Sequence, residues 1–338
     1  MEKQAQQETN KNISLHSIPV HVNDICEGAD PFVFKQNGKW HLLVQGDLDA
    51  TPSGHDGIKG YTLRSAGRLE DLSESASTRL VVSSQPDNLR QAWAAEIHEQ
   101  YMYVAISNGD NATHRMHIYM TEHDAYGPWR YVGPMIPPDE DDNWAIDMTL
   151  AKISHRGAEK IYAVWSGWEK KTAEILPDEL FAKVIPQHIY IAELISSTKI
   201  GKRHLLASPK DTWCTSVEPI LEGPQALVIS GEFKGFIVAG NASWTTKYAT
   251  NILKYLGGEP LDHASWVMGN PLFVDGHGIG HGMFVEDNKK LYYVGHRKTH
   301  LENGWTDRVV FFAEIPRTAF EAYLNGETKE TFYPVFLQ

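Results

Sequence analysis

Asp30, Glu96, Asp147, Glu222 and His281 each stand at the head of one of five short segments that read alike. Carboxylates and imidazoles are the side chains that exchange protons near neutral pH. Three carboxylates gathered in a polar, aromatic-rich channel are what hydrolysis of a glycosidic bond needs, since one group must protonate the leaving oxygen while another activates water. Like charges held together also raise at least one pKa, which keeps an acid protonated near neutrality. Whether these residues can meet depends on the elements behind them.

The template is the stretch from Gly28 to Val44. Phe32 and Phe34 alternate with Val33 and Lys35, Asn37-Gly38 is a strong hairpin turn, and Trp40, Leu42 and Val44 resume the period of two. Looser copies follow. Glu96 leads Ile97-His98, a tight turn at Glu99-Gln100 and Tyr101–Ile106; Asp147 leads Met148–Ile153 and Ile161–Gly167. Glu222 leads Gln225–Ile229 and Gly235–Gly240, and His281 leads Met283–Val285, the turn Asp287–Lys290 and Leu291–Gly295. The anchors recur at intervals of 66, 51, 75 and 59 residues, which suits propeller blades of about 40–50 residues with loop insertions. The pattern predicts an all-β five-bladed β-propeller whose innermost strands bring the five anchors to a central channel. Two stacked sandwich domains with polar hairpin starts are the alternative. Residues 1–25 read as an N-terminal tail and a short strand around Ile18–Val22, and 26–338 as a single propeller. The stretch 45–60 reads as a loop, Arg79–Ser84 as a further strand, and Glu174–Val184 as one short helix between blades three and four. Whether Phe332–Val335 closes the ring is left open by the pattern.

The 338 residues are 42% hydrophobic and 22% charged, ordinary for a packed globular protein. A net charge of −12 sets the chain against nucleic acid, because a polyphosphate would be repelled. Its basic residues are scattered in pairs such as Lys170-Lys171, so no anionic-membrane patch is expected. Cys26 and Cys214 lack metal or disulfide spacing and read as inert thiols. The first residues contain no apolar signal core, so the chain as written is expected to be cytoplasmic; removal of a signal peptide would make it secreted or periplasmic. Sequons at Asn12, Asn111 and Asn241 occur readily by chance.

Around the anchors the wording resembles the glycoside hydrolases of family 43. Gly28-Ala29-Asp30-Pro31 is similar to that family's segment bearing the catalytic base, Trp144-Ala145-Ile146-Asp147 to the one bearing the carboxylate that tunes the acid, and Glu222-Gly223-Pro224 to the one bearing the general acid. Gly278-Ile279-Gly280-His281 is similar to the Gly-x-Gly-His that opens the fifth blade. Among family members the exo-acting α-L-arabinofuranosidases have the most similar segments, at His114–His117, Gly127–Gly133, Val164–Trp168 and Ala242–Tyr248. The resemblance implies an inverting hydrolase of terminal α-L-arabinofuranosyl units acting on an oligosaccharide or polysaccharide, with no required cofactor. It further implies a structural calcium or sodium ion in the channel, held through water near His281. Three places depart from the family's wording: Ala95 where a proline is usual, Gly282-Met283-Phe284 after the histidine, and Gly295-His296-Arg297 in place of a Tyr-His pair.

The expected roles follow. Asp30 is the general base and Glu222 the general acid, with Glu218 in Val217-Glu218-Pro219 as its rival; Asp147 raises and orients Glu222. Each has a purely structural alternative, as a capping or buried carboxylate. Glu96 either binds a sugar hydroxyl or braces blade two, and His281 either shells the ion or is simply hydrogen-bonded in place. Trp93 and Trp144, immediately before anchors, are the preferred sugar-stacking candidates over Trp165, Trp168 and Trp244. Arg308 is a candidate clamp for a hydroxyl, His277 reads as a loop residue, and Asp139–Asp142 as a solvated loop. The competing functions are a β-xylosidase, a family relative acting on a galactose-type or anhydro sugar, and a carbohydrate-binding propeller without catalysis.

Overall fold

A computed structural model describes residues 17–45, 61–80, 89, 91–138, 143–170, 185–273, 277–300, 304, 307–328 and 331–336. The expected helix over Glu174–Val184, the acidic run Asp139–Asp142, and the end of the strand expected from Arg79 lie outside these residues.

The chain folds as a five-bladed β-propeller. After β1 (Ser17–Glu27), blade one is built in order from β2 (Ala29–Gln36), β3 (Lys39–Gln45), β4 (Tyr61–Ala66) and β5 (Ser77–Leu80). Blade two holds β6 (Gln91–His98), β7 (Tyr101–Ser107), β8 (Arg115–Met120) and β9 (Arg130–Pro134). Blade three holds β10 (Ala145–His155), β11 (Ala158–Gly167) and β12 (His188–Ser196), with β13 (Lys199–Ile200) and β14 (His204–Ala207) both paired to β12. Blade four holds β15 (Leu221–Ile229), β16 (Glu232–Gly240), β17 (Ala249–Tyr255) and β18 (Trp266–Met268). Blade five starts with β19 (Gly280–Asp287), β20 (Lys290–Lys298) and β21 (Arg308–Ile315).

The fifth sheet is completed by both ends of the described chain. β1 lies antiparallel to β21 and parallel to β22 (Thr331–Phe336), so the sheet order is β19-β20-β21-β1-β22. The short strand expected near Ile18 is therefore the one that stitches the ring, and Phe332–Val335 borders it from outside.

The innermost hairpins owe their tightness to turn chemistry. Asn37-Gly38, Arg156-Gly157, Ser230-Gly231 and Asn288-Lys289 all have positive φ at both positions, the twist that matches flanking antiparallel strands. No single core unites the blades. Five apolar clusters instead fill the five gaps between neighbours: Leu43 with Tyr119, Met116 with Trp165, Val164 with Phe236, Ile237 with Tyr293, and Leu42 with Val294. A helix at Arg317–Asn325 caps the fourth gap with Phe320 and Tyr323 and ends at Gly326 in the left-handed conformation.

Every innermost strand carries the same irregularity. The register slips between Ala29 and Phe32, Ala92 and Ala95, Ile146 and Thr149, Glu222 and Gln225, and Gly280 and Met283. These are β-bulges, which re-aim side chains. No helix among the described residues is long and apolar enough to cross a membrane.

Candidate active site

The bulges are where the predicted anchors sit, with one exception. Asp30, Asp147 and His281 occupy the first bulge position of their strands with φ of 50°, 57° and 44°. Away from turns, non-glycine residues seldom hold such angles, and where they do the strain often marks a functional site. In blade four that position is Gly223, φ 55°, and Glu222 immediately precedes it. In blade two it is Trp93, not Glu96, which lies beyond the bulge opposite Tyr103. The ring of five is therefore Asp30, Trp93, Asp147, Gly223 and His281; spacing of polar residues alone could not register the bulge.

Around Asp30 the geometry is tight. Nδ1 of His281 and Nδ1 of His296 stand 3.1 and 3.2 Å from Oδ1 of Asp30, and the Asp30 N–H donates to His296 Nδ1 at 3.2 Å. Burial by itself would raise the Asp30 carboxyl, but the two imidazoles hold it well below the ordinary range. Burial disfavours a charge on His281 as well, yet Asp30 and Asp147, whose Oδ2 is 4.0 Å away, raise the ring to about 10. His281 is thus an imidazolium. His296 goes the other way, lowered to about 4 by burial against the pull of Asp30.

On the far side of the channel, Oδ2 of Asp147 accepts the Gly223 N–H at 3.1 Å. Burial raises Asp147 to about 6, with His281 opposing. Glu222, 8% exposed, is raised by burial and then by Asp147 to about 8, again with His281 opposing. The channel therefore holds an ionised aspartate facing a protonated glutamic acid. Glycine at 223 is required twice over, since a Cβ there would lie 2.9 Å from Cγ of His281 on a backbone of positive φ.

Other expected residues fall as follows. Glu96 is buried, its Oε2 2.6 Å from Nε2 of His98 and its Oε1 accepting from Nε2 of Gln225. Trp93 is half-buried, stacked on His114 at 3.6 Å and edge-on to Trp144 at 6.4 Å. Trp144 is 3% exposed, its face stacked on Trp168 at 4.5 Å and its N–H donated to the Asn111 carbonyl, so it packs rather than presenting a face to a sugar. Arg308 heads β21, where its carbonyl accepts the Gly28 N–H at 3.1 Å and its charge reaches His296. Glu218 stands before β15, its N–H bonded to Asn241 Oδ1 at 3.2 Å, while Glu222 is the one at the bulge. His277 packs edge-on against Phe336 at 4.5 Å.

Sequence reasoning missed two partners. His296, which the wording marks only as a departure, lies across the ladder from Gly280. Tyr248 is buried beside Glu222, its hydroxyl pulling that carboxyl back down, and its ring stacks on His296 at 5.5 Å. That ring fills the space where a Cβ on Gly280 would be, which accounts for the Gly-His wording.

The cation expected near His281 would be reached through water, because Nδ1 of His281 is committed to Asp30. Among the described residues no three His, Cys, Asp or Glu side chains are placed to hold a metal.

Comparison with known proteins agrees with the propeller fold. The α-L-arabinofuranosidase of Lactobacillus brevis superimposes with a TM-score of 0.69 at 22% identity, covering 88% of this chain and 93% of that one. An endo-1,4-beta-xylanase of Bacteroides thetaiotaomicron gives 0.61 at 19% identity, over 87% and 91%. The GH43_1 enzyme of Xanthomonas citri complexed with xylotriose gives 0.63 at 15% identity, over 93% and 94%. No curated protein matches the chain in sequence at a significant level. Residues 27–315 match the glycosyl hydrolases family 43, the same span that contains all three carboxylates and both histidines of the channel, and the chain belongs to that family.

Proposed function

We propose that this glycoside hydrolase is an inverting, exo-acting α-L-arabinofuranosidase that releases terminal arabinofuranosyl residues from arabinan-type or arabino-oligosaccharide substrates. The observation that carries the reading is the split in proton affinity across one channel: Asp30 is held ionised while Glu222 is held protonated. In a single displacement, Asp30 takes a proton from the attacking water as its oxygen bonds to the anomeric carbon. Glu222 gives its proton to the departing glycosidic oxygen as the old bond breaks. Asp147 contributes by raising Glu222 and by anchoring Gly223 beside it. The His281 imidazolium keeps Asp30 charged.

The choice of arabinofuranose rests on the ordered motifs and the segments at His114–His117 and Ala242–Tyr248. A β-xylosidase is the second reading, favoured by the fold shared with the xylotriose-complexed enzyme. Aryl glycosides of both pentoses, with the released anomer followed by NMR, test the proposal. Faster hydrolysis of the α-L-arabinofuranoside with β-arabinose formed first is expected; preference for the β-xyloside overturns the substrate, and retained configuration overturns the mechanism.

A further inference from the structure

Among the described residues, Glu96 is the channel carboxylate without a place in the displacement. Both its oxygens are engaged, one by Nε2 of His98 at 2.6 Å and the other by the side-chain amide of Gln225, and it is 4% exposed. Each oxygen already accepts from the protein, and at this exposure the carboxylate is turned to those donors and not to a sugar hydroxyl. His98 is held in turn, its ring tilted against Phe32 at 5.2 Å and Tyr103 at 5.9 Å. Gln225 is the first residue after the bulge that carries Glu222, and it is 3% exposed. The bulge is fixed at its upper side by Asp147 on the Gly223 N–H and by the His281 ring packed where a side chain would be. The Gln225–Glu96 contact fixes its lower side, and it does so from blade two, which is not a neighbour of blade four in the ring.

We infer that Glu96 is a positioning residue for Glu222, acting across the channel through Gln225, and not a sugar ligand. This rests on Glu222 being the general acid. A displaced acid loses its proton-transfer geometry, and misplacement of about 1 Å costs up to about 100-fold. The cost falls only on substrates whose leaving group needs a proton.

The test compares an aryl glycoside with a phenol-like leaving group against a dinitrophenyl glycoside that departs unassisted. In Glu96→Ala and in Gln225→Leu, kcat on the first substrate is expected to fall about 10-fold or more with KM within about 2-fold, while the second is spared. The double variant is expected to be no worse than the poorer single one, because both remove the same link. Glu96→Gln retains an acceptor oxygen for Gln225 and is expected to recover most of the rate, which also covers an Ala variant that fails to fold. A KM raised on both substrates at constant kcat would make Glu96 a sugar ligand and overturn the inference, as would equal kcat losses on both. Glu222→Ala measured alongside separates the claims: loss independent of the leaving group there overturns the acid assignment and this inference together. Leaving-group dependence in Glu222→Ala with none in Glu96→Ala overturns this inference alone.

Discussion

Asp30 and Glu222 are both buried carboxyls in one channel, and burial pushes each toward the neutral form. What separates them is company. Asp30 touches two imidazoles, one of them charged, whereas Glu222 has Asp147 next to it. The pH dependence follows with a definite sign. Turnover of a substrate with a poor leaving group is expected to fall as pH rises through about 8, where Glu222 loses its proton. Stability should move the same way. The folded chain holds the Glu222 proton more tightly than the unfolded chain, so this group's contribution is whole below its ordinary 4.5 and declines until about 8, above which it is flat. His281 adds to the decline, since its charge stabilises fully below 6.5 and ceases to do so as pH rises to about 10. Thermal melts of the wild type and Glu222→Gln should therefore diverge between those first two pH values, with the variant the more stable at pH 8; parallel curves would contradict a raised Glu222.

At the scale of the strand, the bulge does the aiming. Gly223→Ala combines a positive φ with a Cβ 2.9 Å from the His281 ring, a strain of about 1–3 kcal/mol that the chain relieves by shifting the bulge. Its kcat is expected to fall about 100-fold while the melting temperature drops only a few degrees, because Glu222 moves with the bulge and the interblade clusters do not. An unchanged kcat would remove the bulge from the mechanism. The hairpins themselves were legible, since period-two alternation and turns such as Asn37-Gly38 are local signals. The bulges were not: an extra residue in one strand is visible only against its partner. Hence the spacing points to Glu96 as the second-blade anchor where Trp93 stands. His296 escaped because it meets Asp30 across the gap between blades five and one, 266 residues away along the chain.

The whole molecule is a ring of five wedges sealed by its N-terminal strand. β1 bonds to β21 on one side and β22 on the other, and buries Val20 and Val22 in the cluster between blades four and five. Val22→Asp puts an unpaired charge in that apolar gap, and urea unfolding should report a loss of at least about 3 kcal/mol. Activity and fluorescence are expected to vanish at one urea concentration; activity outlasting the fold of blade five would show that the seal is dispensable. That strand had no legible partner in the sequence, because its ladder joins residues at opposite ends of the chain. The seam has a further meaning for synthesis. Asp30 belongs to the first blade made, and the histidines that keep it ionised once it is buried belong to the last, with His296 lying 266 residues downstream. A nascent chain thus carries Asp30 long before it carries the imidazoles that offset its burial. The channel is complete only when the ring closes, so an unfinished copy of this enzyme is a silent one.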